Sequence, residues 1–262
     1  MVVAYHAITV KDGRWERSPE GLRADLQALY ELGYRPVNLV DMVAGKMDVP
    51  KGYSPVVITF DDGREGQFRY LAGDDGRQKV DPQSAVGVML AFNKEHPDWK
   101  LRATFYVGDV PFQKADWPEK LRFLAANGIE IGVHTMSHVS LARSSLETTI
   151  REIGGEVRRI ASAVPGYSAS TLALPGGELP AHPEAAVKGT FEGTPYEMKG
   201  TVLVGAGPAP APTAKNFNPQ RIPRIQAVDP SLKIDYALPF WIDYFDKHPE
   251  LRYVSDGGTG RN

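Results

Sequence analysis

The sequence predicts an α/β fold of repeating strand–helix units, arranged as an open sheet or a barrel. Short β-rich runs recur along the chain, and several are continuously apolar, as in parallel strands buried on both faces. Amphipathic helical patterns lie between them. The length of 262 residues, with 42% hydrophobic and 24% charged residues, suits one globular domain over 1–262.

Val2–Tyr5 is the first strand. Ser18-Pro19-Glu20 opens the first helix: serine as N-cap, proline at the first position, glutamate in the first turn. Leu22, Leu26, Leu29 and Tyr30 give that helix its apolar stripe, and Gly33 ends it. Arg35–Leu39 and Val56–Phe60 are the next strands. The Arg64–Arg102 connection is long for one strand–helix unit. It is polar and glycine-rich at Gly73-Asp74-Asp75-Gly76, ahead of a helix over Pro82–Asn93. A strand over Ala103–Val107 is followed by a helix over Trp117–Ala126, with Gly128 after it. A strand over Ile129–Val133 precedes a helix over Leu146–Val164. Thr171–Leu174, Thr201–Val204 and Ile222–Ile225 complete the strands. Between the last two, Gly205–Pro219 is rich in Pro, Gly and Ala and reads as an extended surface loop. Asp256–Asn262 reads as a frayed tail, and no internal repeat is present.

Composition excludes several functions. Lys plus Arg is 30 and Asp plus Glu is 32, a net charge of -2, which leaves no basic footprint for nucleic acid. No apolar run approaches the ~20 residues of a membrane span. With Cys 0, disulfides, thiol catalysis and cysteine-ligated zinc are ruled out. The chain begins within a strand and shows no secretory leader. This favours a domain of a longer secreted or cell-envelope protein, with a cytoplasmic protein as the alternative.

Chemistry concentrates at two strand ends. Val57-Ile58-Thr59-Phe60-Asp61-Asp62-Gly63 ends an apolar strand in adjacent carboxylates and a glycine turn. Carboxylates are costly to bury without a partner or cation, and strand C-termini are where α/β folds build their sites. Ile129-Glu130-Ile131-Gly132-Val133-His134-Thr135-Met136-Ser137-His138 ends another strand with histidines spaced i, i+4. A helical turn there would put both imidazoles on one face, able to share a metal. The pattern is not the zinc-protease His-Glu-x-x-His, since 135 and 136 are Thr and Met. The two motifs together supply an Asp-His-His set with open positions for water, as a catalytic zinc requires.

These motifs resemble the first two of the polysaccharide deacetylases, the NodB-homology or carbohydrate esterase family 4 group. Tyr5-His6, Ala103-Thr104-Phe105-Tyr106-Val107 and Leu174-Pro175-Gly176-Gly177 extend the likeness over residues 2–226. The resemblance implies a distorted (β/α) barrel, usually of seven strands. It implies that Asp62, His134 and His138 ligate a divalent metal, most often zinc, and that Asp61 is the general base toward the attacking water. Gly176 would supply the backbone N–H of the oxyanion site, with Pro175 and Gly177 beside it in the substrate groove.

The chain departs from the family pattern at three points. Ala173 stands where the arginine of the third motif falls, the one that orients the base. Arg224 is the expected replacement, ahead of Arg221. Gly176 stands where that motif has its aromatic residue, so one wall of the sugar groove is missing. The late Leu-x-His motif that supplies a general acid has no match. His6, at the end of the first strand, is the better candidate acid. His182 is weaker, while His96 and His248 read as surface. Phe68 and Tyr70 are candidates to cover the site, and Trp99, Trp117 and Trp241 to line a groove.

The function this predicts is metal-dependent removal of N-acetyl groups from an amino-sugar polysaccharide or oligosaccharide. Two alternatives stay open: an amide hydrolase on a small soluble substrate, and a non-catalytic carbohydrate-binding relative.

Overall fold

Each apolar run becomes a short parallel strand with buried residues on both faces. The computed structural model describes residues 1–73, 77–205 and 207–257. Residues 74–76 of the predicted polar turn and 258–262 of the predicted tail lie outside them. We number the strands of the main sheet β1 (Val2–Tyr5), β2 (Tyr34–Pro36), β3 (Ser54–Phe60), β4 (Thr104–Val107), β5 (Glu130–Val133), β6 (Thr171–Ala173), β7 (Gly200–Val202) and β8 (Ile225–Gln226). Their order is β7-β6-β5-β4-β3-β1-β8, and β2 pairs with the first half of β3. Every pairing in this sheet is parallel. The Ile222 N–H donates to the Thr201 carbonyl at 2.9 Å, and the Ala227 N–H donates to that of Ala4 at 3.0 Å. The 222–227 segment therefore links β7 to β1 across the open side of the curled sheet, which is a distorted (β/α) barrel.

Alternation along the strands sorts two cores. Ile58, Phe60, Phe105, Val107, Ile131 and Val133 pack in one cluster with the helix residues Leu22, Leu26, Phe92, Leu121 and Ile153. Val57, Tyr106, Ala173 and Val202 belong to a smaller cluster. Thr59, Thr104, Glu130, Thr171 and Arg224 are also buried. Most buried polar groups are hydrogen-bonded, and both oxygens of Glu130 are. Its Oε2 accepts from Thr104 Oγ1 at 2.8 Å and the Val40 N–H at 3.0 Å, and its Oε1 accepts from Thr171 Oγ1 at 2.6 Å.

The helices Pro19–Glu31, Ala85–Glu95 and Leu146–Ala163 start where Ser18, Ser84 and Ser145 cap them, each side chain accepting a backbone N–H inside the first turn. The second starts later than its apolar pattern suggests because Ser84 is its cap. The predicted strand Arg35–Leu39 stops at Pro36, and Leu39–Val43 forms a short helix instead. Pro223, which has no N–H to donate, separates the Val202–Ile222 bridge from β8. The long 64–102 connection contains an antiparallel hairpin, Tyr70–Ala72 with Gln78–Val80. Pro208–Pro212 lie beside Met1, Tyr34 and Pro55, at the end of the barrel where its strands begin. Among the described residues, no helix is long and apolar enough to cross a membrane.

One buried acid sets a pH dependence of stability. Glu156 is fully buried beside Arg159, and burial pushes its carboxyl up from 4.5 to about 8 against the pull of that guanidinium. The folded chain then keeps a proton that the unfolded chain releases, so stability falls as pH rises between those values. Glu156→Gln is expected to flatten this slope and raise stability at pH 8 by about 2 kcal/mol. Denaturant titrations from pH 5 to 8 measure it, and parallel curves for the two proteins would refute it.

Candidate active site

Two left-handed turns, at the ends of β3 and β5 on either side of β4, build the site. The Asp61 N–H still bonds the Tyr5 carbonyl at 2.9 Å, as a last rung of the sheet. Asp62 then takes φ +73° and Gly63 φ +57°, so the adjacent carboxylates part company. Asp61 meets Arg224, whereas Asp62 meets His134 and His138.

The second turn is not the helix that the i, i+4 spacing suggests. Thr135 lies at φ +63° and His138 at φ +56°. Such backbone is strained for residues with a Cβ and persists where neighbours over-determine it. The braces are explicit. The Met136 N–H donates to the Glu152 carbonyl at 3.0 Å, and the Asp109 N–H donates to the Met136 carbonyl at 2.8 Å. Ser137 donates its N–H and its hydroxyl to Glu152 Oε2, at 2.9 and 3.0 Å. The two imidazoles meet edge to face, 4.9 Å between centroids.

Asp62 Oδ1 lies 3.3 Å from His134 Nε2 and 3.4 Å from His138 Nε2. All three candidate ligand atoms fall within 4.8 Å of one another, a group able to hold a metal ion. His134 Nδ1 is 2.8 Å from the Ala173 carbonyl. A carbonyl only accepts, so Nδ1 carries a hydrogen and Nε2 is the nitrogen turned to Asp62, the one placed to ligate an ion. The other oxygen of Asp62 is held by Arg64 Nε at 2.9 Å. Two imidazole nitrogens and one carboxylate oxygen suit a zinc-like divalent ion with open positions. Burial would raise the Asp62 carboxyl, but hydrogen bonds from both histidines outweigh it and hold it far below the usual range. The same bond to Asp62 raises His138 above its ordinary value.

Asp61 and Arg224 are both fully buried. Arg224 Nη1 and Nη2 grip the two oxygens of Asp61 at 2.7 and 2.6 Å, and Nη1 also donates to Thr59 Oγ1 at 3.0 Å. Arg224 Nε donates to the Leu203 carbonyl at 2.5 Å. Burial would raise the Asp61 carboxyl, but the charge and hydrogen bonds of Arg224 hold it below its ordinary value. Arg221 is exposed.

His6 Nε2 sits 3.8 Å from Asp61 Oδ2, and burial lowers the pKa of the ring. A cleft of about 580 Å³ opens over these groups, lined also by Trp15, Glu16, Arg64, Gly176 and Val204. Pro175 is buried rather than cleft-lining, and a Cβ at Gly177 would meet the Val204 nitrogen at 2.7 Å. The remaining histidines stand apart from the cleft. His182 and His248 pair with Glu184 and Glu250, each at 3.6 Å, and His96 stacks 4.3 Å from Tyr30. Phe68 does not cover the site: it packs in the core against Phe112 and Phe123, with Tyr70 beside it. Trp99 is buried, and Trp117 and Trp241 are half-buried outside the cleft. Sequence reasoning missed Trp15, Arg64 and Glu152. Trp15 follows the same strand end that singles out His6, which is the signal that reaches it.

The family model for polysaccharide deacetylases matches residues 48–190, which hold both left-handed turns. Among solved structures, a Streptococcus pyogenes deacetylase in complex with acetate is 15% identical with a TM-score of 0.67, over 92% of this chain and 96% of that one. A Bacillus cereus polysaccharide deacetylase is 17% identical with a TM-score of 0.66, over 92% of this chain and 67% of its own. The IcaB protein of Ammonifex degensii is 17% identical with a TM-score of 0.61, over 93% of this chain and 95% of its own. These likenesses carry the fold, and the model match carries the family: the chain belongs to the polysaccharide deacetylases, hydrolases that release acetyl groups from polysaccharides.

Proposed function

We propose that this protein removes N-acetyl groups from an amino-sugar polymer, with a divalent ion, zinc by the donor chemistry, held by Asp62, His134 and His138. The observation that carries this reading is the division of labour between adjacent carboxylates. Asp62 faces two imidazoles, while Asp61 is buried, ionised and gripped by Arg224. An ion bound there supplies Lewis acidity, polarising the acetamide carbonyl and easing deprotonation of water. Asp61 accepts the proton of the attacking water. Arg224 fixes both carboxylate oxygens, so the base costs little reorganisation at the moment of reaction. His6 stands next to Asp61 Oδ2, takes up the proton that Asp61 has accepted from the water and hands it to the departing nitrogen. Gly176, on the cleft wall, is assigned the backbone N–H that steadies the oxyanion. The amide C–N bond breaks, a C–O bond forms, and acetate and a free amine leave.

Metal content per chain, for the native protein and for His134→Ala, tests the reading. Near-stoichiometric zinc or a similar ion, lost in the variant together with acetate release, is expected. A chain that takes up no ion after supplementation would overturn it. The bare wall at Gly176 favours one second reading, hydrolysis of a small soluble amide. Turnover of short amides with none on oligosaccharides would select it.

Ion uptake must also displace the proton that His138 shares with Asp62. That proton stabilises the ion-free site at low pH, and the stabilisation is lost as pH rises through the raised value. Zinc affinity is therefore expected to climb with pH, with a calorimetric heat that depends on the buffer's ionisation enthalpy. A heat independent of buffer would contradict this.

A further inference from the structure

The two walls of the cleft are unequal. At Gly176 the backbone has φ +67°, and a side chain built there would meet no atom within 4 Å. The same cleft is lined, beside His6, by an indole. Trp15 is 39% exposed, and its ring meets His6 edge to face at 4.8 Å. An exposed aromatic face beside convergent polar groups is the usual make-up of a ligand site.

The loop that carries Trp15 is fastened on both sides. The Trp15 carbonyl accepts from the Ala7 N–H at 3.0 Å, and the Gly13 carbonyl accepts from the Asp229 N–H at 2.8 Å. Gln226 Nε2 donates to the Arg14 carbonyl at 2.8 Å. The platform is thus tied to the chain just after β1 and to the segment that follows Arg224, both of which feed the site. Of the other tryptophans, Trp99 is buried and neither Trp117 nor Trp241 lines the cleft.

We propose that Trp15 is the sugar-binding wall of this site. Its indole stacks on the pyranose ring that bears the acetamide. A pyranose presents a face of C–H groups, and an indole is the largest and most electron-rich surface the twenty side chains offer it. The inference rests on the deacetylase reading and adds a specificity-determining residue to it.

The test compares wild type, Trp15→Ala and Trp15→Phe, all zinc-loaded. Substrates are β-1,4- and β-1,6-linked tetramers of N-acetylglucosamine and a ring-free ester, vinyl acetate. Trp15→Ala is expected to raise KM for the sugar roughly 10-fold, with zinc content near wild type and ester hydrolysis affected far less than sugar turnover, and Trp15→Phe to recover most of the loss. Binding of the tetramers to the zinc-free proteins is measured alongside. An unchanged KM in Trp15→Ala, or a Phe variant as defective as Ala, overturns the proposal. So does a wild type that hydrolyses the ester but neither acts on nor binds the sugars. Wild-type sugar binding that Trp15→Ala loses, with no acetate released from any substrate, would sink the deacetylase reading and leave the wall standing. No binding of either tetramer by any of the proteins, with no turnover, would remove both.

Discussion

Arg224→Leu is expected to destabilise the protein by about 3–5 kcal/mol and to lower kcat/KM by more than ~100-fold at neutral pH. Both effects come from Asp61. That carboxylate has no exposed surface, and Arg224 provides its two strongest contacts, at 2.7 and 2.6 Å. Breaking a buried pair from one side leaves an uncompensated charge, which costs more than the pair itself contributes. Leucine also abandons the Thr59 hydroxyl and the Leu203 carbonyl, both partners of the same guanidinium.

The pH behaviour of this variant separates the base from a merely structural role. In the native chain the Asp61 carboxyl sits below its ordinary value. Its stabilising contribution is therefore present above the unfolded value and lost as pH falls through the folded one. Without Arg224, burial is opposed only by the weaker pull of His134 and His6, and the folded value moves above the ordinary one. Stability then falls as pH rises, and the acid limb of kcat/KM moves upward because the base ionises later. Arg224→Lys should recover part of the stability but little of the rate, since an ammonium cannot grip both oxygens in one plane. Thermal unfolding and kcat/KM from pH 4 to 9 read both quantities. An acid limb unmoved in Arg224→Leu would remove Asp61 from the role of base.

The residues of the candidate site were legible because they sit at strand ends and are of types that are costly to leave there. Asp61, Asp62, His134 and His138 could be read from two short segments, and Arg224 from the absence of an arginine at Ala173. What was not legible is conformation and wiring. Nothing in Thr135 or His138 announces left-handed backbone, because glycine is the residue that advertises it. Spacing therefore suggested a helix, and the turn is instead imposed from outside by Asp109 and Glu152. Glu152 lies within the helix Leu146–Ala163, where a carboxylate ordinarily reads as solvated surface. The buried set Thr104, Glu130 and Thr171 was hidden in a similar way. Strands buried on both faces lose the period of two that would separate inner from outer residues.

Gly108→Ala carries that lesson about wiring to its sharpest consequence. A Cβ on Gly108 would fall 2.2 Å from the Thr135 carbonyl oxygen, a backbone atom between the two histidines. Backbone cannot swing away as a long side chain does, so one of the two loops must move. The loop after Gly108 also braces the first motif, since the Phe112 N–H donates to the Gly63 carbonyl at 2.6 Å. Moving it therefore loosens Asp62 and His138 together. Outer contacts of this kind set metal affinity, and losing them costs about 10–100-fold in dissociation constant, with overpacking adding about 1–3 kcal/mol of destabilisation. Gly176→Ala is the informative partner. Its Cβ would meet nothing within 4 Å, yet the backbone sits at φ +67°, so a cost of about 1–2 kcal/mol in stability is expected with zinc affinity unchanged. Zinc titration and denaturant unfolding of both variants separate backbone strain from disruption of the ligand set. If Gly108→Ala binds zinc as tightly as wild type, the loop after β4 does not brace the ligands, and their geometry comes from the two motif turns alone.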